Sequence, residues 1–266
     1  MIQTDLRYAL DPCAFSSEIC KKDPDPWQRT VLLSNKRLLM NCTRQAGKST
    51  VAAIKALHRA IYYPGSTIIV ISKTEQQSKL LLDKLKVFYK LVPDQPQPEE
   101  ENKTSLKLKN GSWIKALPGN QPDNVRGFSA VDLLIEDEAA FVYDQLYYAI
   151  LPMLAVSRGK LILMSTPNGK RGHFYQEYIG DGDWIRVKIP WQDCPRIFPS
   201  DIEEYKRSLG QWHFKQEFEC EFGETLDNVF SFDSIMKAMT EDIEPLYPVM
   251  SGLSDDGEPL YEGGVL

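Results

Sequence analysis

The chain has 266 residues, 42% hydrophobic and 26% charged, which suits one large α/β core with a small appendage. No apolar run approaches the ~18 residues of a membrane span, and the N-terminus lacks the basic-then-apolar pattern of a secretory signal. The net charge of −6 is concentrated in residues 224–266, with ten Asp/Glu and one Lys; the preceding 223 residues carry +3, too weak a bias to mark or to exclude a nucleic-acid contact.

In chain order, residues 1–22 predict a short helix and turns, and Pro24 and Pro26 punctuate the entry into the domain. "WQRTVLLSN" has helical apolar spacing, and "KRLLMNC" is a short buried strand. A loop over 43–47 leads into a strong helix, "KSTVAAIKALHRAIYY", stopped by Pro64 and Gly65. "STIIVIS" is a second buried strand, and "TEQQSKLLLDKLKVFYKLV" a second amphipathic helix. The polar, Pro-rich "PDQPQPEEEN" reads as a loop, and "SLKLKNGSWIKAL" as a hairpin turned at Asn110-Gly111.

Beyond a second loop, "VDLLIEDEAAF" is a strand that ends in acids, followed by a helix around "DQLYYAILPML". "GKLILMSTPNG" and "WIRVKIP" are further strands, and "SDIEEYKRSL" and "QWHFKQEFECEF" are helical. Continuous apolar strands alternating with helices predict an α/β fold: a mostly parallel central sheet with helices on both faces and small N- and C-terminal additions. The expected domain runs over 1–240, with 1–25 as an extension, and 241–266 reads as an acidic linker whose last residues begin a strand. Cys13, Cys20, Cys42, Cys194 and Cys220 form no CxxC pair, and the three histidines complete no zinc spacing. Reduced thiols of a cytoplasmic protein are therefore expected, with no structural metal.

"NCTRQAGKST" (41–50) ends as a Walker A phosphate loop, with Gly47, Lys48 and Ser49 as G-K-[ST], but Cys42 stands where the usual pattern has its first glycine. Two readings compete: an accidental match, or a branch of P-loop ATPases that tolerates the exchange. The placement between a buried strand and a long helix suits the second, because loop N–H groups then converge on phosphate at a helix N-terminus. The ATP-binding stretch is accordingly Arg44, Gln45, Ala46, Gly47, Lys48, Ser49 and Thr50. Lys48 reaches the β- and γ-phosphates, and Ser49 coordinates Mg²⁺.

"LLIEDEAA" has the Walker B form, about 90 residues on, the spacing of an ASCE-type ATPase. Glu136, Asp137 and Glu138 compete for its two roles. Asp137 is favoured for magnesium and Glu138 as the base that polarises the attacking water, since small Ala139 and Ala140 leave room there. Ser165 and Thr166 end another strand, and they can sense the γ-phosphate if that strand neighbours the P-loop strand. Lys79, Lys84, Lys86 and Lys90 form a helical stripe, read as solvated charge rather than a DNA contact.

The order "DPWQ", "RQAGKS", "LLIEDEAAF", "STPNG…FY" and "QEFECEF…VF" resembles the ATPase half of phage large terminase subunits over roughly residues 24–232. In that family the first loop glycine is not required. The resemblance implies a RecA-like fold and ATP hydrolysis that powers translocation of double-stranded DNA into a capsid, with Mg²⁺ as cofactor. It implies that Gln28 reads the adenine edge, that Arg44 couples phosphate state to motion, and that Ser165 and Thr166 form the coupling motif. Arg126 would reach a neighbouring subunit's γ-phosphate as a trans finger. Implied partners are double-stranded DNA, the portal protein, the small terminase subunit and further copies in a ring, weakly associated or monomeric in isolation. The implied location is the host cytoplasm, docked transiently on the procapsid.

Full-length relatives carry a C-terminal RNase H-like nuclease domain, which would begin where this chain stops. Asp255 and Asp256 lie in a Gly- and Pro-rich stretch and are not assigned as its ligands, so no nuclease activity is expected. The alternatives are a superfamily-2-like helicase or translocase, for which a second RecA-like domain would be needed, and a non-hydrolysing nucleotide-dependent module. The retained Lys48, Ser49, Asp137 and Glu138 argue against the module.

Overall fold

The computed structural model describes residues 2–119, 127–128, 130–224, 249–253 and 259–262. The chain divides into two compact units, residues 1–223 and 224–266. In the second, strands over Val249–Leu253 and Pro259–Glu262 pair as an antiparallel hairpin.

The first unit is built on eight strands: β1 (Arg37–Cys42), β2 (Thr67–Ser72), β3 (Pro98–Glu101), β4 (Ser105–Leu108), β5 (Trp113–Pro118), β6 (Leu133–Asp137), β7 (Lys160–Ser165) and β8 (Trp184–Ile189). Their order across the sheet is β3-β4-β5-β2-β6-β7-β1-β8. The six strands from β5 to β8 run parallel, with Val70 opposite Ile135, Ile135 opposite Ile162, and Met40 opposite Met164. The hairpin expected at Asn110-Gly111 is β4–β5, and its second strand joins the parallel set beside β2.

The helices are α1 (Ile2–Leu10), α2 (Pro12–Ala14, continued as a π-turn to Ile19), α3 (Pro26–Leu33), α4 (Lys48–Tyr62), α5 (Glu75–Tyr89), α6 (Asp144–Ser157), α7 (Gly172–Ile179) and α8 (Ile202–Glu217). Strand alternation separates two apolar layers. Leu38, Met40, Val70, Ile135 and Ile162 pack with residues of α3, α4 and α5 on one face. Leu39, Ile69, Leu134 and Leu163 pack with Leu146, Ile150 and Phe174 of α6 and α7 on the other. Each such side chain taken from water contributes about 1.5–3 kcal/mol, so the strands that show no polar face in the sequence are those covered twice.

Three elements differ from the sequence-based expectation. Residues 98–101, expected as loop, form edge strand β3 beside β4; all four are exposed, and Pro98 occupies the first position, where its missing N–H does no harm. Helix α7 was not anticipated, because glycines flank it and it is only eight residues long. The two C-terminal helical stretches merge across Gly210, which has a left-handed φ of 72°. They end at Glu217 rather than continuing to residue 222, and Cys220 has a φ of 57°.

Candidate active site

The loop between β1 and α4 turns through two left-handed residues, Gln45 (φ 64°) and Gly47 (φ 93°). The left-handed φ of Gly47 favours glycine there, and a Cβ would lie 2.8 Å from Gln28 Nε2, so a side chain would also have to displace that amide. Cys42 ends strand β1 with its side chain fully buried in the core and its thiol pushed up to about 12 by burial. Only its carbonyl serves the loop, accepting a hydrogen bond from Lys48 Nζ at 3.0 Å. A side chain is tolerated there because it points inward from an extended strand.

Walker A and Walker B meet across one intervening strand. Strand β7 pairs in parallel with β6 on one side and with β1 on the other. Ser49 Oγ at the start of α4 therefore lies 3.5 Å from Asp137 Oδ2 at the end of β6. Asp137 Oδ1 accepts the Glu138 backbone N–H at 3.0 Å. Burial first, then the charge of Glu138, push the Asp137 carboxyl up to about 6 against the pull of Lys48.

Glu138 holds a left-handed conformation (φ 54°, ψ 42°), uncommon for a residue with a Cβ, which turns it out of the strand. Its Oε2 accepts a hydrogen bond from Ser165 Oγ at 3.3 Å. Thr166, beside Ser165, has a buried hydroxyl without a hydrogen-bond partner among the described residues, as does Ser72, whose backbone is in register with Asp137. Orphan polar atoms at the C-terminal edge of a parallel sheet mark the crevice where such folds bind ligands.

That crevice is a cleft of about 640 Å³, floored by residues 44–50 and bounded by Lys73, Gln77, Lys84, Glu138, Phe141 and Arg196. Gln28 is buried at its side, its Oε1 accepting the Asp25 N–H at 3.0 Å. Arg44 pairs with Glu217 at the end of α8 through contacts of 2.5 and 3.3 Å, and this hydrogen-bonded partner raises its pKa. Among the three acids at the strand end, Glu136 is turned away from the cleft: it is fully buried on the α6–α7 face, beside His173. Arg126, Asp255 and Asp256 lie outside the described residues.

Lys73, Gln77, Lys84, Phe141 and Arg196 line the cleft without a sequence signal that marks them as site residues. Arg196 Nη2 donates to Asp25 Oδ2 at 2.6 Å and to the Ala46 carbonyl, and its Nε donates to Gln45 O at 3.4 Å. A lone arginine in "CPRIF", some 150 residues from the loop, carries no local signal of this role. The lysine stripe on α5, expected to be solvated throughout, divides. Lys79 pairs with Glu75, and Lys86 lies beside Glu101 and donates to the Asn102 carbonyl, while Lys84 faces the cleft.

A phosphate loop, paired acids on a strand one removed from it, and an intervening strand that ends in polar residues define a RecA-like P-loop domain of the ASCE type. Residues 39–237 match the family described as terminase large subunit, T4likevirus-type, N-terminal, and the chain belongs to that family. The terminase large subunit of Escherichia phage T5 is 26% identical over 206 residues, covering 73% of this chain and 46% of its own length. That of Thermus phage G20c is 24% identical over 232 residues, covering 74% and 48%. The chain thus spans about half the length of these relatives. The solved Thermus phage P74-26 large terminase ATPase domain superposes with a TM-score of 0.68 at 22% identity, over 80% of this chain and 99% of that one.

Proposed function

We propose that this domain hydrolyses ATP with Mg²⁺, and that as part of a packaging motor it drives double-stranded DNA into a viral capsid. The observation that carries the reading is the meeting of Ser49 and Asp137 at 3.5 Å beside Glu138. Asp137 is a buried carboxyl raised by its surroundings, next to a hydroxyl and a second acid; this donor set fits a hard divalent cation. Ser49 and Asp137 would hold it, and bound Mg²⁺ would neutralise charge on the phosphates.

The chain's own groups have distinct tasks in this reading. N–H groups of Gln45 to Thr50 and the Lys48 ammonium bind the phosphates. Glu138 takes the proton of the attacking water, and the Ser165 hydroxyl orients its carboxylate. Gln28 reads the adenine edge; its amide offers donor and acceptor, and it lies against Gly47. Arg44 senses the γ-phosphate and transmits its loss toward α8 through Glu217. Arg126 completes a neighbouring subunit's site, so the working form is a ring of copies bound to a portal, served by a small terminase subunit. These events take place in the host cytoplasm on the procapsid. No nuclease chemistry is assigned to this chain.

The test is ATP turnover against protein concentration, with and without duplex DNA. Turnover that rises steeply with concentration and with duplex DNA is expected. A concentration-independent rate stimulated only by single strands would favour a helicase-type translocase, and no turnover under any condition a non-hydrolysing module. Mn²⁺-dependent nicking of plasmid by pure protein would overturn the absence of nuclease chemistry.

A further inference from the structure

Behind the Walker B strand lies a polar cluster that the hydrolytic reading does not use. Glu136 directly precedes Asp137 on β6, so strand alternation sends the two carboxylates to opposite faces of the sheet. Glu136 is 0% exposed among apolar side chains, where an unpaired carboxylate would cost several kcal/mol. Its neighbour is His173, 2% exposed, with Nε2 at 3.1 Å from Glu136 Oε1. The other ring nitrogen, Nδ1, lies 3.0 Å from Asp144 Oδ1 at the start of α6, and the same oxygen accepts the His173 backbone N–H at 2.7 Å.

The ring is further held by stacking on Tyr147, with centroids 4.6 Å apart and planes 11° apart. Tyr147 in turn donates to Glu177 at 2.9 Å. Carboxylates at both nitrogens favour the imidazolium, the form with two donors. Burial pulls its pKa down, but Glu136 and Asp144 outweigh burial and the net direction is up. The Glu136 contact is a close approach of the ring nitrogen to the carboxylate rather than an aligned hydrogen bond, since neither Glu136 oxygen has an aligned donor among the described residues.

The position of His173 gives this pair its meaning. It is the second residue of α7, directly after Gly172, whose φ of 73° is left-handed. The loop it closes begins at Ser165, the residue that bonds Glu138. One side chain thus joins the back of the Walker B strand, the start of α6 and the far end of the loop that carries Ser165 and Thr166.

We propose that His173 is a positioning residue for hydrolysis: through Glu136 it fixes the end of β6, and so the directions of Asp137 and Glu138, relative to the Ser165–Thr166 loop. The physical basis is that of outer-layer partners that orient groups holding the reacting atoms. The inference rests on the ATPase reading above. It adds a device on the sheet face opposite the cleft, out of contact with nucleotide.

The test compares the wild-type chain with Glu136→Gln, His173→Gln and the double variant, by ATP turnover, affinity for a fluorescent ATP analogue and thermal unfolding. His173→Gln is expected to lower kcat by ~10-fold or more, with KM and nucleotide affinity within ~2-fold of wild type. The double variant, free of an unpaired buried charge, is expected to fold and to remain slow. Recovery of wild-type kcat in the double variant, or a KM that rises in step with the loss of kcat, would overturn the positioning role. Should His173→Gln fail to fold, the double variant decides by the same criterion. Independently of turnover, ¹⁵N-histidine NMR at about pH 7.5 is expected to show both His173 ring nitrogens protonated, and a neutral tautomer would overturn the clamp. A wild-type chain without turnover would sink the ATPase reading instead, and the NMR result would still stand.

Discussion

Ser49 and Asp137 are 88 residues apart in the chain, yet their side-chain oxygens lie 3.5 Å apart. The separation is set by backbone: β7 lies between β6 and β1, so the Walker B acids face the start of α4 across one strand. Lys48 approaches the same point from the loop, and Glu138 from its left-handed turn. Lys48→Ala is therefore expected to abolish ATP hydrolysis. Glu138→Gln should still bind ATP but turn it over at least ~100-fold more slowly. Phosphate release and nucleotide binding, measured side by side, check both, and wild-type turnover by Glu138→Gln would remove it as the base.

Arg196 holds two carbonyls of the phosphate loop and the Asp25 carboxylate with one guanidinium. Its loss frees the loop from the entry to α3, where Gln28 sits. Arg196→Ala should raise KM for ATP by about tenfold with a smaller change in kcat, and Arg196→Lys should not restore it, since a point charge lacks the fork that serves three acceptors. Steady-state kinetics of the two variants decide this; an unchanged KM would show that the latch does not shape the nucleotide site.

Arg126 tests the ring. If it acts in trans, Arg126→Ala should lose activity, and mixing it with Lys48→Ala should restore part of it, since each variant supplies what the other lacks. A finger of this kind contributes ~10³–10⁵ in rate. Mixtures no more active than the sum of the two variants would place the arginine outside a shared site.

Gly159 joins α6 to β7, and a Cβ there would stand 1.9 Å from the Val131 carbonyl oxygen and 2.8 Å from Leu154 Cδ2. The Val131 carbonyl, two residues before β6, is backbone and cannot yield without shifting the chain that enters that strand. Gly159→Ala should cost about 2 kcal/mol or more, lowering Tm by roughly 4–8 °C in calorimetry. A variant as stable as wild type would mean that the α6–β7 connection has room for a methyl group.

Lys55 gives a pH test. Its ammonium donates to the Leu32 and Ser34 carbonyls at 3.0 and 2.7 Å, and burial lowers its pKa to about 8. The unfolded chain holds that proton to a pKa of about 10.4. Between these values the unfolded state binds more protons, so the stability contributed by Lys55 rises with pH. The stability of wild type relative to Lys55→Met should therefore rise from pH 8 to about pH 10. Denaturant unfolding across that range checks the sign, and a flat difference would deny the burial.

Much of this protein is legible in its sequence. The continuous apolar runs of β1, β2, β6 and β7 announce strands covered on both faces, and Asn110-Gly111 announces a hairpin, because periodicity and turn chemistry are local. Lys48, Ser49, Asp137 and Glu138 are recognisable for the same reason: the first two open a helix after a buried strand, the other two close a buried strand, and each pair lies inside a short motif. Edge strand β3 and helix α7 were not legible. The first depends on pairing with β4, and the second on burying Phe174 against the far face of the sheet.

The sequence by itself determined the covered strands, the long helices and the spacing of the Gly47-Lys48-Ser49 and Asp137-Glu138 motifs, since these follow from local pattern along the chain. Strand order, and hence the meeting of Ser49 with Asp137 and of Ser165 with Glu138, was decided only by the tertiary structure. So were the faces assigned to neighbouring acids, with Asp137 toward the cleft and Glu136 toward His173. The same holds for Arg196, which reaches the loop across 150 residues. Contacts between distant segments depend on how the sheet is assembled, and no local pattern encodes that assembly.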